Sequence, residues 1–155
     1  MQKVLILLFH LSTYFLIKVK WPAARKLRFN GPFIDIFGEG DLECGVNSYL
    51  SHFTRIYIER GTRLRIGDNV SIGHNVRIYT SKVDAIALLR TGKKTTIKSD
   101  VSIGDNVLIS ANVYIGPGTE ICDNVFIGAN SVVSKSISVP GIYSGIPAKL
   151  IREIS

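Results

Sequence analysis

An isoleucine that returns every six residues is the feature of this chain that most limits its fold. An α-helix repeats about every 3.6 residues and an extended strand about every two, so neither gives a strict period of six. A short strand followed by a tight bend does. The series consists of Ile66, Ile72 and Ile78 and, after an interruption, of Ile97, Ile103, Ile109, Ile115, Ile121, Ile127 and Val133. A second small aliphatic follows most members four residues later, at Val70, Val76, Val101, Val107, Val113 and Val125.

Glycine and asparagine lie between the aliphatic positions, and both residue types adopt positive φ at low steric cost. We expect them to form the corners of a prism in which each hexapeptide is one side and three sides, about 18 residues, make one coil. Successive coils would stack about 4.8 Å apart through parallel backbone hydrogen bonds, with isoleucine above isoleucine in the core. The predicted corner residues are Gly67, Gly73, Gly104, Gly116, Gly128, Asn69, Asn75, Asn106, Asn112, Asn124 and Asn130.

The composition of the 155 residues, 46% apolar and 20% charged, is typical of one compact domain and excludes a disordered or collagen-like chain. The two cysteines, Cys44 and Cys122, are far apart and form no CxxC motif. They predict neither a zinc site nor a disulfide framework, so we expect no bound metal and a reducing compartment.

The net charge of +7 is concentrated near the N-terminus, because residues 1–34 contain six basic side chains and no acidic one. In the remaining residues the basic side chains nearly balance all 12 acidic ones. A nucleic-acid-binding protein spreads basic residues over a reading face, and the sequence has no helix-turn-helix or finger pattern. We therefore predict that nucleic acid is not a partner.

An uncharged apolar stretch runs from Val4 to Ile17, and Trp21 and a basic run to Arg28 follow it. As a helix it is about 21 Å long, short of the hydrocarbon core of about 30 Å. It therefore predicts an interfacial helix with the tryptophan and the cations at headgroup depth. The alternative is a helix that docks on the body of the protein or on a partner chain.

This division separates an N-terminal helix from the repeat domain. We assign residues 1–30 to a membrane-associated helix, with peripheral contact through residues 1–28, and residues 31–155 to the repeat domain. A secreted protein is not favoured, since no small-x-small cleavage site precedes the basic run.

The segment SIGDNVLISANVYIGPGTEICDNVFIGANSVVSKSISVPGIYSGIPAKLIREI resembles the last coils and closing signature of the hexapeptide-repeat acyltransferases. Within that family it is similar to the branch of galactoside, maltose and capsular-polysaccharide O-acetyltransferases, and the resemblance covers about residues 34–152. It implies an all-β fold, a left-handed parallel β-helix with a loop excursion near residues 80–96 and a short C-terminal tail. It also implies homotrimers with active sites between neighbouring prisms, and acetyl-coenzyme A as cosubstrate.

Several coenzyme A positions carry over through this resemblance. Such a cofactor needs cations near its phosphates and small residues along its pantetheine arm. Taken singly, the cations would be interpreted as solvated surface charges. The family's small residues for the arm fall on Ala111, Gly128 and Ala129, the residues that reach the cofactor tail on Ser134 and Lys135, and the cations of the closing signature on Lys149 and Arg152.

The sequence departs from the family where the loop histidine that deprotonates the acceptor is expected, because that position is Val83. Valine cannot take a proton, so the usual general base is missing. The family's tryptophan and the glycine after it are Leu108 and Ser110.

Three histidines remain. His10 lies in the apolar N-terminal stretch, and His74 is predicted at an exposed corner. His52 stands where the family places an asparagine that contacts the acceptor sugar, so it is a candidate base or a hydrogen-bond partner. We take His52 and His74 as the candidate catalytic residues.

Two functions remain open at this point. The first is an O-acetyltransferase that acts on a hydroxyl of a sugar or lipid-linked saccharide in surface-polysaccharide biosynthesis, in the cytoplasm at the inner face of the cell membrane. The second is a non-catalytic relative that serves as a binding or scaffold protein, which Val83 favours.

Overall fold

The computed structural model describes residues 13–154. Residues 13–20 form a helix, α1, a 3₁₀ helix spans Pro22–Lys26, and a second helix, α2, spans Ala85–Thr91. The strands are β1 (Arg28–Asn30), β2 (Asp35–Gly38), β3 (Asp41–Cys44), β4 (Tyr49–Ser51), β5 (Arg55–Ile58), β6 (Arg63–Ile66), β7 (Ser71–Ile72), β8 (Arg77–Tyr79), β9 (Ser81–Val83), β10 (Thr96–Lys98), β11 (Val101–Ile103), β12 (Leu108–Ile109), β13 (Tyr114–Ile115), β14 (Glu120–Ile121), β15 (Val125–Ile127), β16 (Val132–Val133), β17 (Gly141–Ser144) and β18 (Lys149–Glu153).

All of these strands except β9 and β10 form three mainly parallel sheets that the chain visits in turn. The first sheet has the order β1-β4-β7-β12-β15-β17-β18, the second β16-β13-β8-β5-β2, and the third β14-β11-β6-β3. We call the turns between the first and second sheets the first corner, those between the second and third the second corner, and those that lead back the third corner. This mostly β, three-sided arrangement of parallel strands is consistent with the predicted β-helix.

The aliphatic repeat lies inside the prism, as predicted, with one exception. Ile72, Ile109 and Ile127 illustrate the stacked column, because each is at most 1% exposed and backbone pairing places one above the next. The prediction is wrong for Ile97, which is 42% exposed. It lies in β10, which pairs in antiparallel fashion with β9 outside the three sheets, so it continues the spacing without joining the core.

Asparagine and glycine serve the corners in different ways. All six predicted asparagines have φ between 55° and 60°, which confirms their role. The five glycines predicted to turn with positive φ do not adopt it, so that prediction is wrong. Close packing requires four of them instead, namely Gly67, Gly73, Gly104 and Gly128. A Cβ on Gly67, for example, would lie 2.3 Å from Oδ1 of Asp105. That carboxylate accepts a hydrogen bond from the backbone of Asp68 at 2.8 Å, which ties two coils together.

The length of a coil changes along the chain. In the later coils the stacked asparagines Asn112 and Asn130 are 18 residues apart, as predicted. Earlier coils are longer, since Asp35 and Arg55, which stack in neighbouring coils, are 20 residues apart. The prediction of a uniform coil is therefore wrong for the first part of the prism, where the corners contain additional residues.

An excursion interrupts the prism between β8 and β11. It consists of the antiparallel pair β9 and β10 and of α2, whose first turn is capped by the Asp84 carboxylate. At the end of the excursion, Lys98 forms an ion pair at 3.2 Å with Glu59 of the second corner. This hydrogen bond, together with one from the Tyr57 hydroxyl, lowers the pKa of Glu59.

Helix α1 packs on the body of the protein over the described residues. Ile17 and Trp21 belong to the buried core, and the Trp21 indole donates a hydrogen bond to the backbone oxygen of Gly40 at 3.2 Å. The expectation that Trp21 lies at headgroup depth is therefore wrong, and over residues 13–20 the alternative of a docked helix applies. His10 and the rest of residues 1–12 lie outside the described residues. Within the described part of the chain, no helix is long and apolar enough to span a membrane.

The two cysteines are free. Burial raises the pKa of the Cys44 thiol to about 12, so this group stays protonated near neutral pH. Among residues 13–154 no cluster of histidine, cysteine or carboxylate side chains could hold a metal ion.

Candidate active site

Two histidine rings meet at the first corner of the prism. His52 follows β4 and His74 follows β7, so both lie where the chain leaves the first sheet. The backbone N–H of Asn75 donates to the backbone oxygen of His52 at 2.8 Å, which holds the two turns in register. The ring centroids are 4.7 Å apart, and the two Nδ1 atoms approach to 2.9 Å. Two residues that the sequence offered as separate candidates thus form one pair.

The contact between the Nδ1 atoms determines the tautomers of this pair. When both imidazoles are neutral, one Nδ1 must carry the hydrogen and the other must accept it. The donor ring then has an unprotonated Nε2, while the acceptor ring carries its hydrogen on Nε2. A neutral pair therefore presents one unprotonated Nε2. If that atom takes a proton, the imidazolium still donates from Nδ1 to its partner, which orients the ring and stabilises the charge.

Gly31, in the coil before His52, makes room for this pair. A Cβ on Gly31 would lie 2.2 Å from Cδ2 and 2.4 Å from Nε2 of the His52 ring. Its φ of +115° is also a conformation that side-chain-bearing residues rarely adopt. A residue other than glycine would have to displace the imidazole, so Gly31 determines where the ring lies.

A strip of small residues continues the same corner below the histidines. The backbone N–H of Asn112 donates to the backbone oxygen of His74 at 2.9 Å, and that of Asn130 donates to the backbone oxygen of Ala111 at 3.0 Å. This register stacks Ala111 beneath His74 and Ala129 beneath Ala111. The structure therefore brings the residues predicted for the pantetheine arm into line with the histidine pair.

The predicted cations lie at the C-terminal end of the prism, but not all on one side. Lys149 and Arg152 are exposed on β18, at the edge of the first sheet. Ser134 and Lys135 are also exposed, but they follow β16 and therefore lie at the second corner. Within one chain the width of the second sheet separates them from the strip.

The positions that depart from the family are also located. Val83 ends β9 in the excursion and is 41% exposed. Leu108 is 42% exposed on β12, and Ser110 lies beside Ala111 at the first corner. Across residues 13–154 the imidazoles are those of His52 and His74.

A groove of about 560 Å³ opens on the first corner next to the histidine pair. Its central feature is a stack of Phe33 on Phe53, with centroids 5.3 Å apart and planes 11° from parallel. Each ring is about half exposed. The Arg77 guanidinium donates to the backbone oxygen of Phe53 at 2.8 Å, fixing the rim. The groove is lined by Thr13, Phe33, Ile34, Asp35, Phe53, Arg55, Asn75 and Arg77.

Both phenylalanines have a strained backbone. Their φ values are 59° and 61°, the left-handed region that costs a bulky residue about 1–2 kcal/mol. The stacked positions of later coils hold Asn75, Asn112 and Asn130, which adopt the same φ at lower cost. Phenylalanine therefore carries a backbone cost at these two corners that asparagine would reduce.

The sequence did not predict that the histidines touch. They are 22 residues apart, which is not a multiple of the six-residue period. The turns carry the register instead, because each histidine directly precedes a residue with positive φ, Asn75 or Phe53, although the φ of Phe53 is not visible in the sequence. Alignment of the chain on these turns, rather than on the isoleucines, would have placed one histidine above the other.

Comparison with known proteins agrees with the repeat. The family described as bacterial transferase hexapeptide (six repeats) matches residues 92–135. Serine acetyltransferase of Staphylococcus aureus is 38% identical over 99 residues, which are 64% of this chain and 44% of that enzyme. The chain therefore spans less than half the length of these curated relatives.

Solved structures extend the similarity over most of the chain. A maltose O-acetyltransferase from Clostridium difficile is 33% identical, with a TM-score of 0.64 over 86% of this chain and 73% of that one. A galactoside acetyltransferase in complex with coenzyme A is 31% identical, with a TM-score of 0.67 over 83% of this chain and 64% of that one.

Proposed function

Since this chain belongs to the hexapeptide-repeat acetyltransferase family, we propose that it transfers an acetyl group from acetyl-coenzyme A to a hydroxyl of a sugar. The observation that carries this proposal is the contact of His52 with His74 at the head of the small-residue strip. The similarity to maltose and galactoside acetyltransferases supports a sugar as acceptor.

The described residues fit acetyl-coenzyme A. Ala111 and Ala129 present little side chain along the first corner, and Gly128 is so close to Ser144 that a Cβ would lie 2.9 Å from its hydroxyl oxygen. Such a strip accepts a slender arm, while Lys149 and Arg152 supply positive charge at the end where phosphates would lie. When bound, acetyl-coenzyme A supplies the acetyl group as an activated thioester.

The histidine pair replaces the base that is missing at Val83. The unprotonated Nε2 of the pair accepts the proton of the acceptor hydroxyl, and the Nδ1 contact holds that ring in its productive tautomer. His74 is the more exposed of the two, while His52 is packed against Gly31. Removal of either ring therefore disturbs both the base and its orientation.

The assembly that we propose is a trimer of left-handed prisms. Ser134 and Lys135 lie at a different corner from the small-residue strip, so a cleft between two copies would join them on one cofactor. The hand and the trimer are inferred from the family. This arrangement would explain why residues for one ligand lie on two corners of one chain.

We further propose a membrane-proximal role in surface-polysaccharide biosynthesis, on a lipid-linked saccharide at the inner face of the cell membrane. Residues 1–34 contain no acidic side chain. The described part of α1 also exposes apolar residues, with Phe15 67%, Leu16 64% and Val19 53% exposed. Basic residues beside an exposed apolar face favour contact with an anionic bilayer, with peripheral attachment through residues 1–28.

The second candidate function is a non-catalytic binding or scaffold protein. Val83 favours it, because the family's base is absent from the excursion. The two functions differ in turnover: the enzyme consumes acetyl-coenzyme A in the presence of a sugar, whereas a binding protein does not.

The experiment that tests catalysis compares the full-length protein with His52→Asn and His74→Asn. The measurement is release of coenzyme A in the presence of maltose or a galactoside, with calorimetry of coenzyme A binding alongside. We expect each variant to lose about a hundredfold or more in rate and to bind coenzyme A as the parent does.

The rates of the parent and of the two histidine variants distinguish the enzyme from the binding protein and test the histidine pair as the base. An active parent whose rate is unchanged in both variants would rule out the histidine pair as the base. A parent that binds coenzyme A and shows no turnover with any sugar of the panel would favour the binding protein.

A further inference from the structure

The stacked phenylalanines at the first corner share three properties. Both rings are about half exposed, both have positive φ, and both border the groove beside the histidine pair. Backbone strain that persists in a folded protein is often concentrated at a functional site. These properties therefore point to a ligand that contacts the two rings.

The position of the groove supplies the first part of the answer. Along the first corner the order is Ala129, Ala111, His74, His52 and Gly31, with about 4.8 Å between coils. If the cofactor arm occupies the strip, its reactive end faces the histidines. Phe53 directly follows His52, and their ring centroids are 6.5 Å apart. The groove thus begins where the acceptor hydroxyl must lie.

The chemistry of the lining supplies the second part. Aromatic rings present a flat apolar surface, which matches the face of a pyranose ring whose C–H bonds point to one side. Around them, Asp35 and Arg55 form an ion pair at 3.4 Å with both side chains nearly half exposed. A carboxylate and a guanidinium at the rim can accept and donate hydrogen bonds to ring hydroxyls.

We propose that the Phe33–Phe53 stack is the platform on which the acceptor pyranose ring lies, and that the chain retains strained phenylalanine there at the expense of stability. This inference rests on the proposed function for the identity of the ligand. It assigns acceptor specificity to two residues outside the histidine pair and the cofactor strip. It also predicts that replacement of either phenylalanine by asparagine raises the melting temperature and weakens sugar binding.

The test uses Phe53→Asn and Phe33→Asn in the full-length protein. Asparagine is the residue of the equivalent later corners, so each variant should melt about 2–4 °C higher than the parent. Binding of methyl β-galactopyranoside and maltose, followed by saturation-transfer NMR, should weaken on the order of tenfold, and the KM for the acceptor should rise alike. Coenzyme A binding should not change.

Two control variants separate the effect of backbone strain on the melting temperature from the effect of the ring on sugar binding. Asn47→Phe places a phenylalanine at a third-corner position with φ of 60°, and it should melt lower than the parent while sugar binding stays the same. Phe53→Tyr keeps both the ring and the strain, so it should retain sugar binding and leave the melting temperature near that of the parent.

Each remaining outcome contradicts the proposal. A lower melting temperature in the asparagine variants would show that the rings serve packing. Unchanged sugar binding in those variants, or a parent that binds neither sugar, would show that the stack is not the platform. Transfer activity with an unaltered acceptor KM would refute the platform alone, whereas sugar binding at the rings without transfer would refute the proposed enzyme and leave the platform.

Discussion

The coils before the excursion and those after it share one core but differ at their corners. After residue 100, stacked residues such as Asn112 and Asn130 are 18 residues apart, and asparagine holds both of these positive-φ positions. Before residue 80, stacked residues are 20 to 22 apart, and phenylalanine takes two such positions. Both histidines of the pair are in these earlier coils.

The difference shows which part of the repeat is free to vary. A buried aliphatic column requires a side chain of the right size at each step, and it is retained throughout. The corners point outward, so additional residues and unusual side chains there cost little packing. Chemistry therefore accumulates at the corners of the irregular coils, where it leaves the core unchanged.

The largest expected effect tests whether the cores are equivalent. Ile56, before the excursion, and Ile115, after it, are both 0% exposed. Truncation of a fully buried isoleucine to alanine removes burial and leaves a cavity, so Ile56→Ala and Ile115→Ala should each lower the free energy of unfolding by about 2–5 kcal/mol. Denaturant unfolding measures both. A markedly smaller loss of unfolding free energy in Ile56→Ala would mean that the earlier coils are packed less well, and would contradict the equivalence of the two cores.

The next effect concerns the corner of the irregular coils. Gly31→Ala should displace the His52 ring, because the new Cβ would lie 2.2 Å from it. A misplaced catalytic group can cost about a hundredfold in rate, so we expect acetyl transfer to fall by about that factor while coenzyme A binding persists. Steady-state kinetics and calorimetry on the same preparation provide the two readouts.

Gly61→Ala is the matched control for this substitution. Gly61 also has positive φ, at +80°, but a Cβ there would meet nothing within 4 Å. The control should therefore lose some stability from backbone strain and retain its rate. Equal loss of activity in both variants would show that general destabilisation, and not the position of His52, limits the reaction.

The smallest effect concerns the excursion that divides the two regions. The hydrogen bond from Lys98 lowers the pKa of Glu59, so the folded state is stabilised by the ionised carboxylate. This stabilisation is present above the unfolded pKa of about 4.3 and is lost as the pH falls through the lower folded value. The melting temperature of the parent should exceed that of Glu59→Gln slightly at pH 7, and the difference should vanish in acid. A constant difference down to pH 2 would contradict the assignment.

The core could be predicted from sequence because its signal is periodic. Residues such as Ile72 and Val76 must be aliphatic whatever the corners contain, so the count of six identifies them. Ile97 misled the prediction because it continues the count while pairing in a separate hairpin. The prediction for the glycines was wrong for another reason. Gly67 is required because the carboxylate of Asp105 in the next coil leaves no room for a Cβ, and the pattern of a single repeat does not reveal that contact.

The candidate site was predictable in its members but not in its arrangement. His52 and His74 were both candidates, yet their contact depends on additional corner residues that shift the register from one coil to the next. The Phe33–Phe53 stack gave no signal, because an isolated phenylalanine is usually interpreted as a core residue. Its meaning lies in the backbone conformation, which the sequence does not show.

The last strand of the first sheet has a consequence for solubility. A stack of parallel coils ends in an open edge of backbone donors and acceptors, on which another chain could add and begin a fibre. Strand β18 runs antiparallel to β17, and its register is irregular between Ile142 and Tyr143. An added chain would therefore have to pair with a reversed and distorted strand whose charged residues Lys149, Arg152 and Glu153 are exposed. Reversal of a single strand thus opposes end-to-end polymerisation at that edge.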